Sequence, residues 1–268
     1  MTSKKIVFQV YSDLHVESWD ILHSLPVKAS YLFLAGNICT QSNKHFMPFM
    51  DFCSKKWEKV FYVPGNHEFY VKKKNYNELC FDYKYILNKR YQNIHYLDND
   101  FVSLNDEINV YGSTLWTIPP FNSTYEAKLS INDYNWITYF NTTKGHVVDL
   151  DTNYVKELAN DSLNKLQKYL NETDKKTIVM THFPPLRSGT TNTDYLELDR
   201  IKNNYCSWHD NTLILNNFNL KNVPIWVSGH THWSYDFKKY NTRFISNQLG
   251  YRYELGITGL HKNCVFEF

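Results

Sequence analysis

Five short polar clusters hold the residue types that bind metal ions and carry protons. They are Asp13-Leu14-His15, Gly36-Asn37, Gly65-Asn66-His67-Glu68, Thr181-His182 and Gly229-His230-Thr231-His232. Five of the eleven histidines sit in them. Mixed imidazole and oxygen donors suit divalent transition metals, whereas Mg²⁺ and Ca²⁺ prefer oxygen alone. Taken singly, each cluster has a plainer reading. Asp-x-His is a common turn, and one histidine after Thr181 is more often packed in a core or loop. Two imidazoles in Gly-His-Thr-His say more, because they are costly to bury without partners. Together, and in this order, the clusters point to one metal-centred site.

The elements that must gather them are legible on either side. Apolar runs at Ile6 to Val10, Tyr31 to Ala35, Val60 to Val63, Thr177 to Thr181 and Ile225 to Ser228 read as strands, and each ends at a cluster. Tyr31 to Ala35 is continuous rather than alternating, as a strand covered on both faces should be. Helices are expected over 43–56, with Phe46, Phe49, Met50 and Cys53 on one face, and over 75–90, with Tyr76, Leu79, Tyr83 and Ile86 on one stripe. Strand, helix, strand, helix implies parallel pairing. In such sheets ligands gather beyond the carboxyl ends of the strands. Asp13 and His15, like His230 and His232, lie two apart, so each pair is expected to leave a strand on one face. Gly36, Gly65 and Gly229 directly precede clusters, where a sharp turn or a close approach needs them. Short strands are expected at 93–97, 100–104 and 108–112, then an irregular aromatic segment at 116–147. Asp151 reads as the N-cap of a long helix carrying Tyr154, Leu158, Leu163, Leu166 and Leu170.

In this order the clusters resemble the calcineurin-like metallophosphoesterase superfamily over nearly the whole chain. Val63-Pro64-Gly65-Asn66-His67-Glu68-Phe69-Tyr70 and Thr114-Leu115-Trp116-Thr117 are similar to its small, single-domain, prokaryotic-type members. The resemblance implies an α/β fold: a four-layer α/β/β/α sandwich of two mixed β-sheets flanked by helices, with 1–268 as a single domain. It implies two divalent transition-metal ions, Mn²⁺ first, with Fe or Zn²⁺ as alternatives. On it, Asp13, His15 and His232 hold one ion, and Asn66, His182 and His230 hold the other. Position 37 bridges them, and His67 is the catalytic residue at the leaving group. Two cations about 3.5–4 Å apart clamp phosphate oxygens and acidify a shared water. His67 can hand a proton to the leaving oxygen or steady its charge. Glu68 reads as a partner that orients a ligand histidine. Asn66, His67 and Arg187 are the candidates for substrate contact.

The sequence departs from that pattern at one place: the bridging position is Asn37, where the family has Asp. A carboxylate between two dications has a gross attraction on the order of 15 kcal/mol per ion at an effective dielectric near 20, most of it offset by lost hydration. A neutral amide lacks it, so weaker binding of at least one ion and lower activity are expected. Three readings stay open. The chain is a working phosphomonoester or phosphodiester hydrolase that tolerates Asn37, or a form disabled by an Asp→Asn change. Alternatively it is an inactive protein of the same fold that binds phosphate or a nucleotide. The remaining ligand positions and His67 are intact, which favours the enzyme.

Composition sets the outer limits. The chain has 268 residues, 43% hydrophobic and 21% charged, with a net charge of +2. That suits a globular protein and gives no basic stripe for strong nucleic-acid binding. The expected partner is a small phosphoester or nucleotide substrate. No apolar run is long enough to span a membrane, and the N-terminal run is too short for a signal-peptide core. Five cysteines with no C-x-x-C pair suggest reduced thiols and a cytoplasmic setting. Trp116, Tyr134, Trp136, Trp208 and Trp233 could stack on a base. The competing and favoured reading is that such aromatics close a rim over the core.

Overall fold

The apolar runs become strands buried on both faces. The computed structural model describes residues 5–18, 25–118, 123–192 and 218–268. In it β1 (Val7–Tyr11), β2 (Tyr31–Ala35), β3 (Lys59–Val63) and β4 (Ile94–Tyr96) are parallel neighbours. β13 (Phe266–Glu267) lies antiparallel on the outer side of β1. A second sheet runs β11 (Tyr235–Lys239), β12 (Thr242–Ser246), β10 (Ile225–Val227), β9 (Lys176–Thr181), β6 (Ile108–Ser113), β5 (Asp100–Ser103). Its inner four strands are parallel and its two edges antiparallel.

Alternation along the strands builds the layers. Phe33 and Ala35 face the second sheet and meet Ile178, Met180 and Val227. Leu32 and Leu34 point the other way, under Phe46 and Phe49 of α1 (Phe46–Lys56) and Tyr83 and Leu87 of α2 (Tyr76–Arg90). On the far side, Val179 and Trp226 lie under Leu166 and Leu170 of α5 (Thr152–Glu172). The order is helices, sheet, sheet, helix, as expected. Burying each such apolar side chain is worth about 1.5–3 kcal/mol. The one amide in β1, the buried Gln9, is hydrogen-bonded to the Pro26 carbonyl, the Lys28 amide and Trp57 Nε1.

The helix starts follow capping chemistry. The Asn75 side chain accepts from the amides of Asn77 and Glu78, and Glu78 returns a bond to the Asn75 amide at 2.8 Å. Asp151 accepts from the Tyr154 amide at 2.9 Å, as its position suggested. On α2 the last buried residue is Leu87 rather than Ile86. The four described cysteines are free thiols.

The segment 116–147 differs from expectation. It holds α3 (Thr124–Ser130), α4 (Asp133–Trp136) and a hairpin of β7 (Thr138–Asn141) with β8 (His146–Asp149). Helices of seven and four residues are too short to print a helical period in the sequence. They are fixed by packing: Ala127, Tyr134 and Ile137 join Phe69 and Val155 in one apolar cluster.

Candidate metal centre

The carboxyl ends of β1, β2, β3, β9 and β10 deliver the five clusters to one place. The pairs do not leave a strand on one face. β1 ends at Tyr11 and β10 at Val227, so Asp13, His15, His230 and His232 all lie on loops. Each has left-handed backbone, with φ of 53°, 42°, 71° and 50°, and Asn37 joins them at 53°. A non-glycine residue in this region costs roughly 1–2 kcal/mol. Five such residues around one point mark strain held by the surrounding structure, which is the signature of a functional site. Gly36 is also left-handed, at φ 86°, and a Cβ on it would overlap the His182 ring.

One oxygen of Asp13 and one nitrogen each of His15 and His232 lie within 4.8 Å of one another. All three residues are buried. His15 Nδ1 lies 3.2 Å from Glu17 Oε1, so this nitrogen carries the proton and Nε2 keeps its lone pair. That Nε2 is buried with no hydrogen-bond partner. His232 Nδ1 is held by Glu254 Oε2 at 2.6 Å, which aims Nε2 at Asp13 Oδ1, 3.5 Å away. Burial alone would lower the His232 pKa, but Asp13 and Glu254 override it and raise it to about 9. Burial would raise Asp13, yet the His232 hydrogen bond and the nearby imidazoles hold its carboxyl well below the usual range.

A second set faces the first. His182 Nδ1 donates to the carbonyl of Ala35 at 2.9 Å, leaving Nε2 as a lone pair 3.1 Å from Asn66 Oδ1. Burial keeps His182 neutral by lowering its pKa. The Asn66 amide is oriented by Asp133, which accepts from Nδ2 at 2.7 Å. Two lone pairs therefore converge where a cation would satisfy both. The His230 ring lies 5.2 Å from that of His182, and the His230 amide donates to Asp13 Oδ2 at 2.9 Å.

Asn37 stands between the sets. Its Oδ1 accepts from the His67 amide at 3.0 Å, and its Nδ2 donates to Asp13 Oδ1 at 3.1 Å. Glu68 is not aimed at a ligand histidine. It accepts from the amides of Asn37, Ile38 and Gly65 and from the Tyr62 hydroxyl, and so pins the turns that carry Asn37 and Asn66. Burial pushes Glu68 up to about 7, against four bonds that favour the carboxylate. The His67 ring stacks on Tyr70 at 4.2 Å, and its Nε2 lies 3.3 Å from the Tyr251 hydroxyl.

A cavity opens on this arrangement. Asn37, Asn66, His67, His230 and His232 line one part, and Trp116, Tyr134 and Phe183 another. Trp116 and Tyr134 are buried in the core as well, so the rim reading holds for them. Trp136 is half exposed, Trp233 packs against the second sheet's outer core, and Trp208 lies outside the described residues. Arg187 is half-buried and is not among the described residues lining the cavity.

A profile of calcineurin-like phosphoesterases matches residues 7–234. The chain belongs to the calcineurin-like phosphoesterase family. A mimivirus protein from Acanthamoeba polyphaga mimivirus, uncharacterized protein L509, is 30% identical over 266 residues and covers 92% of both chains. The phosphopantetheinyl hydrolase of Mycobacterium tuberculosis superposes with a TM-score of 0.70 at 15% identity, over 98% of this chain and 96% of that one. A putative 5'-nucleotidase from Staphylococcus aureus gives 0.52 at 14% identity, over 93% of this chain and 49% of that one. These likenesses concern the fold.

Calcineurin-like phosphoesterases are metal-dependent phosphoester hydrolases that generally use a dinuclear divalent metal site. The donor set of this family member fits such ions: beside the buried Asp13 carboxylate, His15 and His182 each present a buried Nε2 lone pair, with Glu17 and the Ala35 carbonyl holding their far nitrogens. Four contributors to the site escaped sequence reasoning. Glu17, Asp133, Tyr251 and Glu254 hold or flank the ligand side chains. Glu17 lies two residues from His15 and was the one within reach of a local reading.

Proposed function

We propose that this calcineurin-like phosphoesterase hydrolyses a small phosphomonoester or phosphodiester with divalent transition metals, Mn²⁺ first. Asp13, His15 and His232 hold one ion; Asn66, His182 and His230 hold the other; Asn37 lies between them. The observation that carries the reading is His15 Nε2, buried and without a hydrogen-bond partner beside Asp13 and His232. When bound, the ions supply Lewis acidity toward phosphate oxygens and an acidified water.

The chain's own residues do the rest. Glu17 and Glu254 fix the tautomers of His15 and His232. Asp133 turns the Asn66 oxygen inward. His67 donates from its ring to the leaving oxygen, with Tyr251 and Tyr70 holding the ring in place. The apolar wall of Trp116 and Phe183 excludes water from one side of the cavity. Two proteins of this fold are named for phosphopantetheinyl and 5'-nucleotide hydrolysis, which makes small phosphoesters the first class to assay.

The test is Mn²⁺-dependent hydrolysis of an aryl phosphodiester and its monoester by this chain and by Asn37→Asp. Turnover by both supports the enzyme, and the diester-to-monoester ratio narrows the substrate. Turnover by Asn37→Asp alone favours the second reading, an impaired protein that binds phosphate or a nucleotide. The Asn37 amide in the bridging place is the observation behind that alternative. Absence of bound metal in the folded chain would overturn both metal assignments.

A further inference from the structure

The two ligand sets differ in charge, and the difference is fixed by named side chains. The first set contains the Asp13 carboxylate, and each of its imidazoles has a second carboxylate behind it, Glu17 at 3.2 Å and Glu254 at 2.6 Å. Three carboxylates thus serve one ion. The second set, Asn66, His182 and His230, consists of neutral donors. The far nitrogen of His182 rests on a backbone carbonyl, Ala35, and the carboxylate of Asp133 reaches this set through the Asn66 amide.

In the expected dinuclear arrangement the bridging residue offsets this imbalance by lending charge to both ions. Asn37 does the opposite. The His67 amide N–H is a donor whose direction the backbone sets, and it takes up the Asn37 oxygen at 3.0 Å. That leaves the amide NH₂ facing Asp13 Oδ1 at 3.1 Å. Flipping the amide would set NH₂ against N–H on one side and oxygen against carboxylate oxygen on the other. Two hydrogen bonds would become two repulsions. The group between the sets therefore offers a donor hydrogen, which cannot ligate, where an anionic oxygen would serve both ions.

We infer that this chain binds one divalent ion tightly, at Asp13, His15 and His232, and fills the Asn66, His182 and His230 set only at far higher metal concentration. The inference rests on the metal-dependent reading above and adds the order of loading. Hydrolysis that needs both ions then follows the weak site, so its Mn²⁺ dependence has a midpoint well above the tight dissociation constant.

The experiment is a titration of the metal-stripped chain with Mn²⁺, with free and bound ion followed by electron paramagnetic resonance. The same titration is run on Asn37→Asp, His15→Ala and His182→Ala, each checked for folding by circular dichroism. The expected result is one tight equivalent with the spectrum of an isolated ion. The second equivalent should bind at least about a hundredfold more weakly, since even an outer contact to a ligand is worth about 10–100-fold in affinity. Asn37→Asp should bring the second equivalent within about tenfold of the first and give the spectrum of a coupled pair. His15→Ala should abolish the tight equivalent, and His182→Ala should leave it.

Two equivalents of similar affinity in the unaltered chain would overturn the inference. So would an unchanged gap in Asn37→Asp, or a tight site lost in His182→Ala and kept in His15→Ala. If the unaltered chain binds two equal ions and hydrolyses phosphoesters, the functional reading survives and this inference falls. If the folded chain binds none, both fall.

Discussion

His67 shows how position decides the chemistry of one side chain. Burial, reinforced by His15, His182 and His232, pushes its pKa well below the ordinary value, so the ring is neutral at working pH. A neutral imidazole assists a leaving oxygen by donating a hydrogen bond. Removing that donor should cost about 10²–10³ in kcat. We expect His67→Asn to show this loss on a phenyl ester and a smaller one on a nitrophenyl ester, whose leaving group needs no proton. Equal losses on both would make His67 structural. His232 yields a pH prediction for the metal-free chain. Its folded pKa of about 9 lies above the ordinary 6.5, so its contribution is fully present below pH 6.5 and lost as pH rises to 9. The span corresponds to about 3 kcal/mol. Urea midpoints of the stripped chain should fall across that window, and the fall should vanish in His232→Asn.

At the scale of elements, what matters is how tightly the turns after the strands are drawn together. Gly36 and Gly145 share left-handed backbone, at φ 86° and 71°. A Cβ at Gly145 meets nothing within 4 Å, whereas one at Gly36 meets the His182 ring and the Gly65 backbone. Gly145→Ala should cost about 1 kcal/mol, from the dihedral alone. Gly36→Ala should cost several times more and disturb His182, read as a fall in both urea midpoint and metal content. Equal costs would show that the turns can spread apart. This scale also separates what was legible in the sequence from what was not. The strand ends were legible, because each apolar run gives way within a few residues to its polar cluster. The left-handed backbone at Asp13 and His15 was not, since no local rule places a histidine there. Asp133 was hidden because its partner Asn66 is 67 residues away and its own surroundings read as a polar turn. Glu254 and Tyr251 were hidden for the same reason, pairing with His232 and His67 across 22 and 184 residues.

For the whole molecule, the site is a joint between its two sheets. Asp13, Asn37 and Asn66 follow strands of the first, and His182 and His230 follow strands of the second. An ion held across them stabilises the folded state by mass action. At a hundred times its dissociation constant that is about 2.7 kcal/mol. Adding Mn²⁺ should raise the melting temperature of this chain, and a melting temperature indifferent to Mn²⁺ would deny the joint. That the strands are covered on both faces was legible from their apolar runs; the four-layer arrangement was legible only through the family resemblance of the clusters.

The pairing of β13 with β1 also imposes a timetable. The Tyr11 hydroxyl bonds the carbonyl of Lys262, 251 residues further along, and Ile6 pairs with Phe268. Glu254, which steadies His232, is made almost as late. A chain emerging from the ribosome therefore carries β1 with one edge open until β13 is made, and Asp13 and His15 without His232 and Glu254 until those residues are made. Open edges of this kind recruit other strands. The half-made chain is thus exposed to mispairing at β1, and the cluster of Asp13, His15 and His232 has all its supports only once Glu254 has been made.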